Sequence, residues 1–432
     1  MGSLIFTIKR LQRNSFLRHN AIFFFGSVAV GILNYLYYPL LGRLMPPAEF
    51  GEVQTLVSFF LQLSIFLSVL GLVTVNVAAN YDNAERRNRV IFELERIALI
   101  AGLLLLALSF VGSYWLQDFF RFDSATPFVV LAVAICVTVP FTFRGAFVRG
   151  RHGFGVASLS NIIASAVKIF ASLVLVLLGF STAGAIWGIA IAQCVALIYI
   201  GFWAKKMGLR QAPETRWRSR PDMKILKPEL RYAGMVLITS LLITLQFSID
   251  ILVVKHYFDA HTAGLYAGIA TVARVLFFVT GSISQVLMPS VKMNSPDAEN
   301  RSLLFKSLGL VAATGLPVLA LFVFAPSFVV QLLMGHNYTE YASLLPMLGL
   351  AIFVVAVVNL LVSYYMALRR YIIAPVVVIG AVTTYGLMIS QHSDLAGIVR
   401  SLLIGGLTMI ILIICLALRD RVVINKRREH AL

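Results

Sequence analysis

The stretch IALIAGLLLLALSFVGSYWL, Ile97 to Leu116, runs without a single charged residue. Crossing the hydrocarbon core of a bilayer takes roughly 20 mainly apolar residues. Backbone polar groups in lipid must be satisfied within the segment, so such a run is read as a helix. The same kind of run recurs at Phe128–Phe143, Ser158–Phe180 and Ile372–Ser390. Working outward gives twelve expected spans: 21–44, 53–78, 97–116, 127–146, 158–180, 183–204, 232–254, 264–290, 303–325, 342–367, 371–390 and 396–418. The chain is therefore expected to be an all-α polytopic membrane protein.

Composition agrees with that class. Hydrophobic residues make up 59% of the chain and charged residues 13%, too apolar for a soluble protein of 432 residues. A net charge of +17 points to nucleic acid only if its placement is ignored. Lys and Arg gather at the ends of apolar runs, as in the cytoplasmic loops of membrane proteins. Basic connections hold Arg86, Arg87 and Arg89; Arg149 and Arg151; Lys205 to Arg231; Lys292 and Arg301; Arg369 and Arg370; and the tail from Arg419. The connections between them are poor in Lys and Arg: Asp118 to Asp123, Ser181-Thr182, His256 to His261, Gly335 to Tyr341 and His392 to Asp394. This alternation puts both termini in the cytoplasm. Although Lys9, Arg10, Arg13 and Arg18 precede the first apolar run, it is long for a signal core and is read as a retained span.

The longest connection, 205–231, divides the spans six and six. The expected organisation is an N-terminal six-helix bundle (1–204), a basic cytoplasmic connection (205–231), a C-terminal six-helix bundle (232–418) and a basic tail (419–432). An internal repeat follows the same division. Pro46-Pro47-Ala48-Glu49-Phe50-Gly51-Glu52 precedes span two, and Asp259-Ala260-His261-Thr262-Ala263-Gly264-Leu265-Tyr266 leads into span eight. Aligning Gly51 with Gly264 also superimposes spans one and seven. Phe147-Val148-Arg149-Gly150-Arg151 is echoed by Met366-Ala367-Leu368-Arg369-Arg370. Six spans per half make these parallel repeats, and transporters commonly place the substrate path between such halves.

A charge inside a span is costly and faces protein or a water-filled path. Lys168, Asp250, Arg274 and Arg400 stand out among the charges inside the expected spans. Asn161, Ser165, Lys168 and Ser172 recur at helical steps and share one face of span five. That face either lines a cavity or forms a polar seam between helices. Gln246 shares a face with Asp250, and Gln285 with Arg274 and Gly281. Asp250 and Arg274 either pair as a structural ion pair or serve coupling and substrate binding respectively. Arg144 closes span four within reach of an anionic group, while Arg149 and Arg151 read more simply as a basic lipid-anchoring loop. Arg400 lies where it can snorkel. Gln54, Ser58 and Gln62 form a polar face on span two, and Asn34 is a lone amide in span one.

No catalytic constellation is evident. The seven histidines fall in expected loops or termini, and no phosphate-binding loop is present. Cys136, Cys194 and Cys415 lie far apart inside apolar runs and suit packing. No cofactor, no enzyme activity and no nucleic-acid partner are expected.

The loop signatures carry a resemblance. Gly42-Arg43-Leu44-Met45-Pro46-Pro47-Ala48-Glu49-Phe50-Gly51, then Asp250, Ala263-Gly264-Leu265-Tyr266, Arg274, Leu287-Met288-Pro289 and Gly335-His336-Asn337-Tyr338 occur in that order. Together they resemble the polysaccharide-biosynthesis (O-antigen, oligosaccharide flippase) family of the multidrug/oligosaccharidyl-lipid/polysaccharide exporter superfamily. The resemblance implies two six-helix bundles around a central cavity in a bacterial inner membrane. It implies a flippase moving polyprenyl-diphosphate-linked oligosaccharide to the outer leaflet, with membrane lipids and other glycan-assembly membrane proteins as partners. Lys168, Arg274, Arg144, Asn161 and Gln285 are then the expected substrate residues and Asp250 the coupling residue. A drug exporter of the same superfamily is the competing expectation, and a glycan polymerase or ligase the third.

Overall fold

In a computed structural model, the backbone is described for residues 15–210, 223–291, 297–368, 370 and 372–429. Side chains are described over the same stretches except 15–25, 223–232, 235, 285, 288, 289, 297 and 420–429. Among the described residues all regular structure is helical: α1 (Ser15–Leu44), α2 (Pro47–Asn80), α3 (Ala84–Phe120), α4 (Thr126–Gly150), α5 (Phe154–Leu175) and α6 (Ser181–Lys206). These are followed by α7 (Met223–Tyr257), α8 (Ala260–Ala273), α9 (Val275–Ser290), α10 (Asp297–Phe324) and α11 (Pro326–Met334). A 3-10 stretch (His336–Leu344) then leads to α12 (Leu345–Ala367), α13 (Ile373–Ser390) and α14 (Leu395–Glu429).

All twelve expected spans fall on these helices. Ten helical segments among the described residues are long and apolar enough to cross a membrane, and one of them covers 154–206. That segment is a hairpin of two spans. A π-helical turn, Val176–Phe180, links α5 to α6, and Gly179 reverses the chain at φ +88°. Such a left-handed conformation suits glycine, which lacks a Cβ. The antiparallel return is fixed by Ser172 Oγ donating to Ala185 O (2.9 Å) and Ser160 Oγ donating to Ala196 O (3.4 Å). With α1, this accounts for twelve crossings.

Large apolar side chains point outward as well as inward. Phe324 is 86% exposed, Val111 80% and Phe170 71%. A chain in water would not spread so much apolar surface over its outside, whereas lipid solvates it.

Helix limits differ from the sequence expectation in three places. First, α3 starts at Ala84, where the Asn83 side chain caps it by accepting from Arg86 N (3.0 Å). Arg87, Glu93 and Glu95 therefore lie inside the helix and are buried. Second, span eight is two helices jointed at Arg274. Third, α11 fills the expected outer connection, burying Val329, Val330 and Met334 while Phe328 and Leu332 are exposed.

Two compact units make up the chain: residues 1–45 with 59–234, and residues 46–58 with 235–432. In the first unit, α5 and α6 pack on each other, with α1 against α5 and α4 against α6. In the second, α12 packs on α9, α10 and α14, with α13 beside α14.

The repeated loop signatures meet inside the second unit. A Cβ built on Gly51 would lie 2.9 Å from Gly264 Cα, and one on Gly264 would overlap the Pro47 carbonyl. The Tyr338 ring covers Gly268 and sits edge-on to Phe50, with centroids 5.9 Å apart. Pro47 begins α2, where its missing N–H costs nothing. Asp259 caps α8 by accepting from Thr262 N (3.0 Å), and hydrogen bonding from Thr262 holds its carboxyl below the usual range. These motifs thus build a close backbone crossing. Gly264→Ala is expected to lower membrane abundance and melting temperature, since overpacking costs about 1–3 kcal/mol. Thermal unfolding of purified protein checks this; an unchanged melting temperature would show the crossing to be dispensable.

Candidate functional site

In the first unit, Lys168 lies about 21 Å of helical rise from the start of α5 at Phe154, well within the span. It is half-buried. Its Nζ donates to Asn34 Oδ1 of α1 (2.6 Å) and stands 4.4 Å from the Tyr37 ring centroid. The Tyr37 hydroxyl is anchored on Ala185 O (3.1 Å), the carbonyl that also accepts from Ser172. No carboxylate among the described residues forms an ion pair with Lys168. Its charge is held by an amide oxygen and the face of a ring, which leaves a net positive site.

The polar face expected along α5 divides among different neighbours. Ser172 turns to α6, Lys168 to α1, and Asn161 opens on a separate cavity of about 240 Å³. Ser68, Thr142, Arg149 and Ser160 share that cavity with Asn161. Arg149, which the sequence suggested as a lipid anchor, is half-buried there. Its Nε is buried without a hydrogen-bond partner among the described residues. A buried donor without a partner is costly and is usually met by water or a ligand.

Arg144 faces the other way, toward α3. Its Nη1 donates to Glu95 Oε1, and its guanidinium lies 5.9 Å from the Phe92 ring centroid. It also lines a pocket of about 610 Å³ with residues of α6 and the turn that follows. Nearby, both carboxylate oxygens of buried Glu93 lack a hydrogen-bond partner among the described residues. Glu93 and Glu95 were missed in the sequence because their charges ended the apolar run at Ile97. Continuing the helix back to the Asn83 cap would have found them.

In the second unit, Asp250 and Arg274 come together. Arg274 Nη2 donates to Asp250 Oδ1 (2.6 Å), and Tyr266 Oη donates to Asp250 Oδ2 (2.9 Å). Arg274 also donates from Nε (3.1 Å) and Nη2 (2.9 Å) to Phe247 O and lies 5.0 Å from that residue's ring centroid. Asp250 is 0% exposed and Arg274 6%. Both carboxylate oxygens are engaged, and the arginine ties the α8–α9 joint to α7. Gln246 Nε2 donates to Thr384 Oγ1 (2.8 Å), and Gln54 Nε2 to Thr271 Oγ1 (2.6 Å). The Gln285 side chain lies outside the described residues. Arg400 is exposed and 3.4 Å from Asp394.

In the first unit Lys168 and Arg149, at separate positions, form no ion pair among the described residues, while in the second Asp250 and Arg274 pair with each other. Lys168 and Arg149 each leave a positive charge open to an anion, and the Asp250–Arg274 pair links α7 to the α8–α9 joint.

A likeness in fold extends over nearly the whole chain. An inward-facing multidrug resistance MATE family transporter of the MOP superfamily matches with a TM-score of 0.72 at 14% identity, over 90% of this chain and 94% of that one. The lipid II flippase MurJ, in an inward closed conformation, matches with a TM-score of 0.71 at 12% identity, over 92% and 87%. The MATE multidrug transporter DinF-BH matches with a TM-score of 0.66 at 12% identity, over 93% and 94%. No curated protein sequence matches the chain. The model of one family, described as polysaccharide biosynthesis protein, matches residues 40–343, well over half of the sequence. The chain belongs to the polysaccharide biosynthesis protein family, on the fold shared by MATE transporters and MurJ.

Proposed function

We propose that the chain is a flippase that moves a polyprenyl-diphosphate-linked oligosaccharide, such as an O-antigen unit, from the cytoplasmic to the outer leaflet by alternating access. The membrane would be a bacterial inner membrane, with both termini cytoplasmic. The observation that carries the reading is Lys168, a half-buried intramembrane cation held by Asn34 and Tyr37 with no carboxylate partner among the described residues. Carrying a diphosphate through hydrocarbon is costly, and a fixed cation beside a hydrated path lowers that cost. Arg149 and Asn161 line a second polar cavity in the same unit, and membership in a polysaccharide biosynthesis family supplies the sugar. Purified protein in liposomes loaded with a fluorescent lipid-linked oligosaccharide tests this. Flipping that depends on the protein supports it, and protein-free rates overturn it. In cells, deletion should leave lipid-linked units on the cytoplasmic leaflet, whereas loss of a polymerase or ligase leaves them outside.

A drug or cation exporter is the second reading, and one observation favours it. Buried Glu93 carries two carboxylate oxygens without partners among the described residues. A cationic substrate or a proton suits such a group. Efflux of a cationic dye that is lost in Glu93→Gln, with no flipping of the lipid-linked sugar, would establish this reading instead.

Orientation has its own test, in protein whose Cys136, Cys194 and Cys415 are replaced. Arg89→Cys should react with an impermeant maleimide only from the cytoplasm, and His261→Cys and Asn337→Cys only from outside. Arg89, His261 and Asn337 are exposed positions. Outside labelling at Arg89 reverses the proposed topology.

A further inference from the structure

The pocket of about 610 Å³ beside Arg144 is distinct from the cavity that Arg149 and Asn161 line. Four cations line it: Arg144 from α4, Lys205 and Lys206 from the end of α6, and Arg210 beyond it. Phe92 and Phe202 supply an apolar side, and Phe202 is 64% exposed on the outer surface of its helix. Lys205, Lys206 and Arg210 form no ion pair among the described residues.

The wall is built rather than incidental. Helix α6 ends in a turn in which Gly208 adopts φ +95°, Gly208 N donates to Lys205 O (3.1 Å) and Leu209 N donates to Ala204 O (2.9 Å). This doubly bonded glycine stop buries the following apolar residue, and Leu209 is 4% exposed. Asn88 of α3 then clamps the turn, donating from Nδ2 to Gly208 O (2.9 Å) and Arg210 O (3.1 Å). Lys206 is steadied over the Trp203 ring, 4.8 Å from its centroid. Glu95 takes one nitrogen of Arg144 and leaves the rest of the fork for another acceptor.

We infer that this pocket binds the phosphate group of a membrane lipid, with its hydrocarbon chain on the Phe92–Phe202 side. The pocket lies at the end of the first unit proposed as cytoplasmic, so in the flippase reading it captures the diphosphate before the head group reaches Lys168. The inference rests on that reading only for the choice of lipid. A polyprenyl diphosphate and an anionic phospholipid present the same phosphate chemistry, and the experiment separates them.

Protein in phosphatidylcholine nanodiscs is titrated with undecaprenyl diphosphate, with phosphatidylglycerol and with inorganic diphosphate, and binding is read by native mass spectrometry. The triple variant Lys205→Gln, Lys206→Gln, Arg210→Gln alters only exposed side chains. It is expected to weaken lipid binding roughly a hundredfold, at about fivefold for each cation. Asn88→Ala keeps all four cations but frees the turn, and should weaken binding about threefold. Whichever lipid loses affinity in these variants is the occupant. Equal affinity of the triple variant and the wild type for both lipids overturns the inference, as does inorganic diphosphate binding as tightly as either. Flipping by wild type with no effect of the triple variant on binding removes the pocket alone. Variant-sensitive binding without flipping removes the flippase and keeps the pocket.

Discussion

Lys168→Ala is expected to cut transport of the lipid-linked sugar by about ten- to a hundredfold while membrane abundance stays near that of the wild type. A hydrogen bond to a charged group contributes about 1.5–3 kcal/mol, and each ~1.4 kcal/mol is a factor of ten. The ammonium has no carboxylate partner among the described residues, so its removal strands no negative charge. Asn34 loses its donor, but an amide at a polar site can take water instead. The competing reading makes Lys168 a seam between α1 and α5. Lys168→Gln separates the two, because it retains an N–H for Asn34 and removes the charge. Transport restored by Gln assigns Lys168 to the seam; transport still lost with abundance intact assigns it to an anion.

The sequence carried the helices and the depth of Lys168, and little of what each polar residue touches. Span length and loop charge are local properties, so they survive without knowledge of neighbours. Neighbour choice is not local. Asn34 read as a lone amide and Lys168 as one position on a polar face, and only the packing of α1 on α5 joins them. Arg149 read as a loop anchor because it follows an apolar run, yet α4 continues to Gly150 and carries it into the Asn161 cavity. The α3 carboxylates were hidden by the same rule that found the span, since a hydropathy window stops at Glu95 and Arg96 while a capped helix does not. Conversely, the signature around Gly51, Gly264 and Tyr338 is visible in sequence because it is structural. Close backbone approach demands glycine, and the two aligned glycines pack against each other. The motifs that reveal the family therefore report packing, and the residues proposed for transport lie elsewhere.

The same distinction governs Asp250. Asp250→Asn and Arg274→Gln, made singly, are each expected to deplete the protein from the membrane, because breaking a buried pair costs about 3–5 kcal/mol. Asp250 accepts from both Arg274 and Tyr266, so loss of Arg274 leaves a fully buried carboxylate with one neutral donor. Loss of the carboxylate leaves Arg274 with the Phe247 carbonyl, which carries no countercharge. The double variant Asp250→Asn with Arg274→Gln should recover abundance and part of the transport, since neither charge is then stranded. A coupling role makes the opposite forecast. If Asp250 takes up a proton or a cation during the cycle, the double variant folds but no longer answers an imposed gradient. Arg274→Lys adds a geometric check: a point charge can face Asp250, but it cannot also hold Phe247 O through a planar fork, so only partial rescue is expected. Liposomes with and without a pH or sodium gradient read both quantities at once. Rescued abundance with a full gradient response assigns the pair to holding α7 against the α8–α9 joint, and rescued abundance with the response abolished assigns Asp250 to coupling.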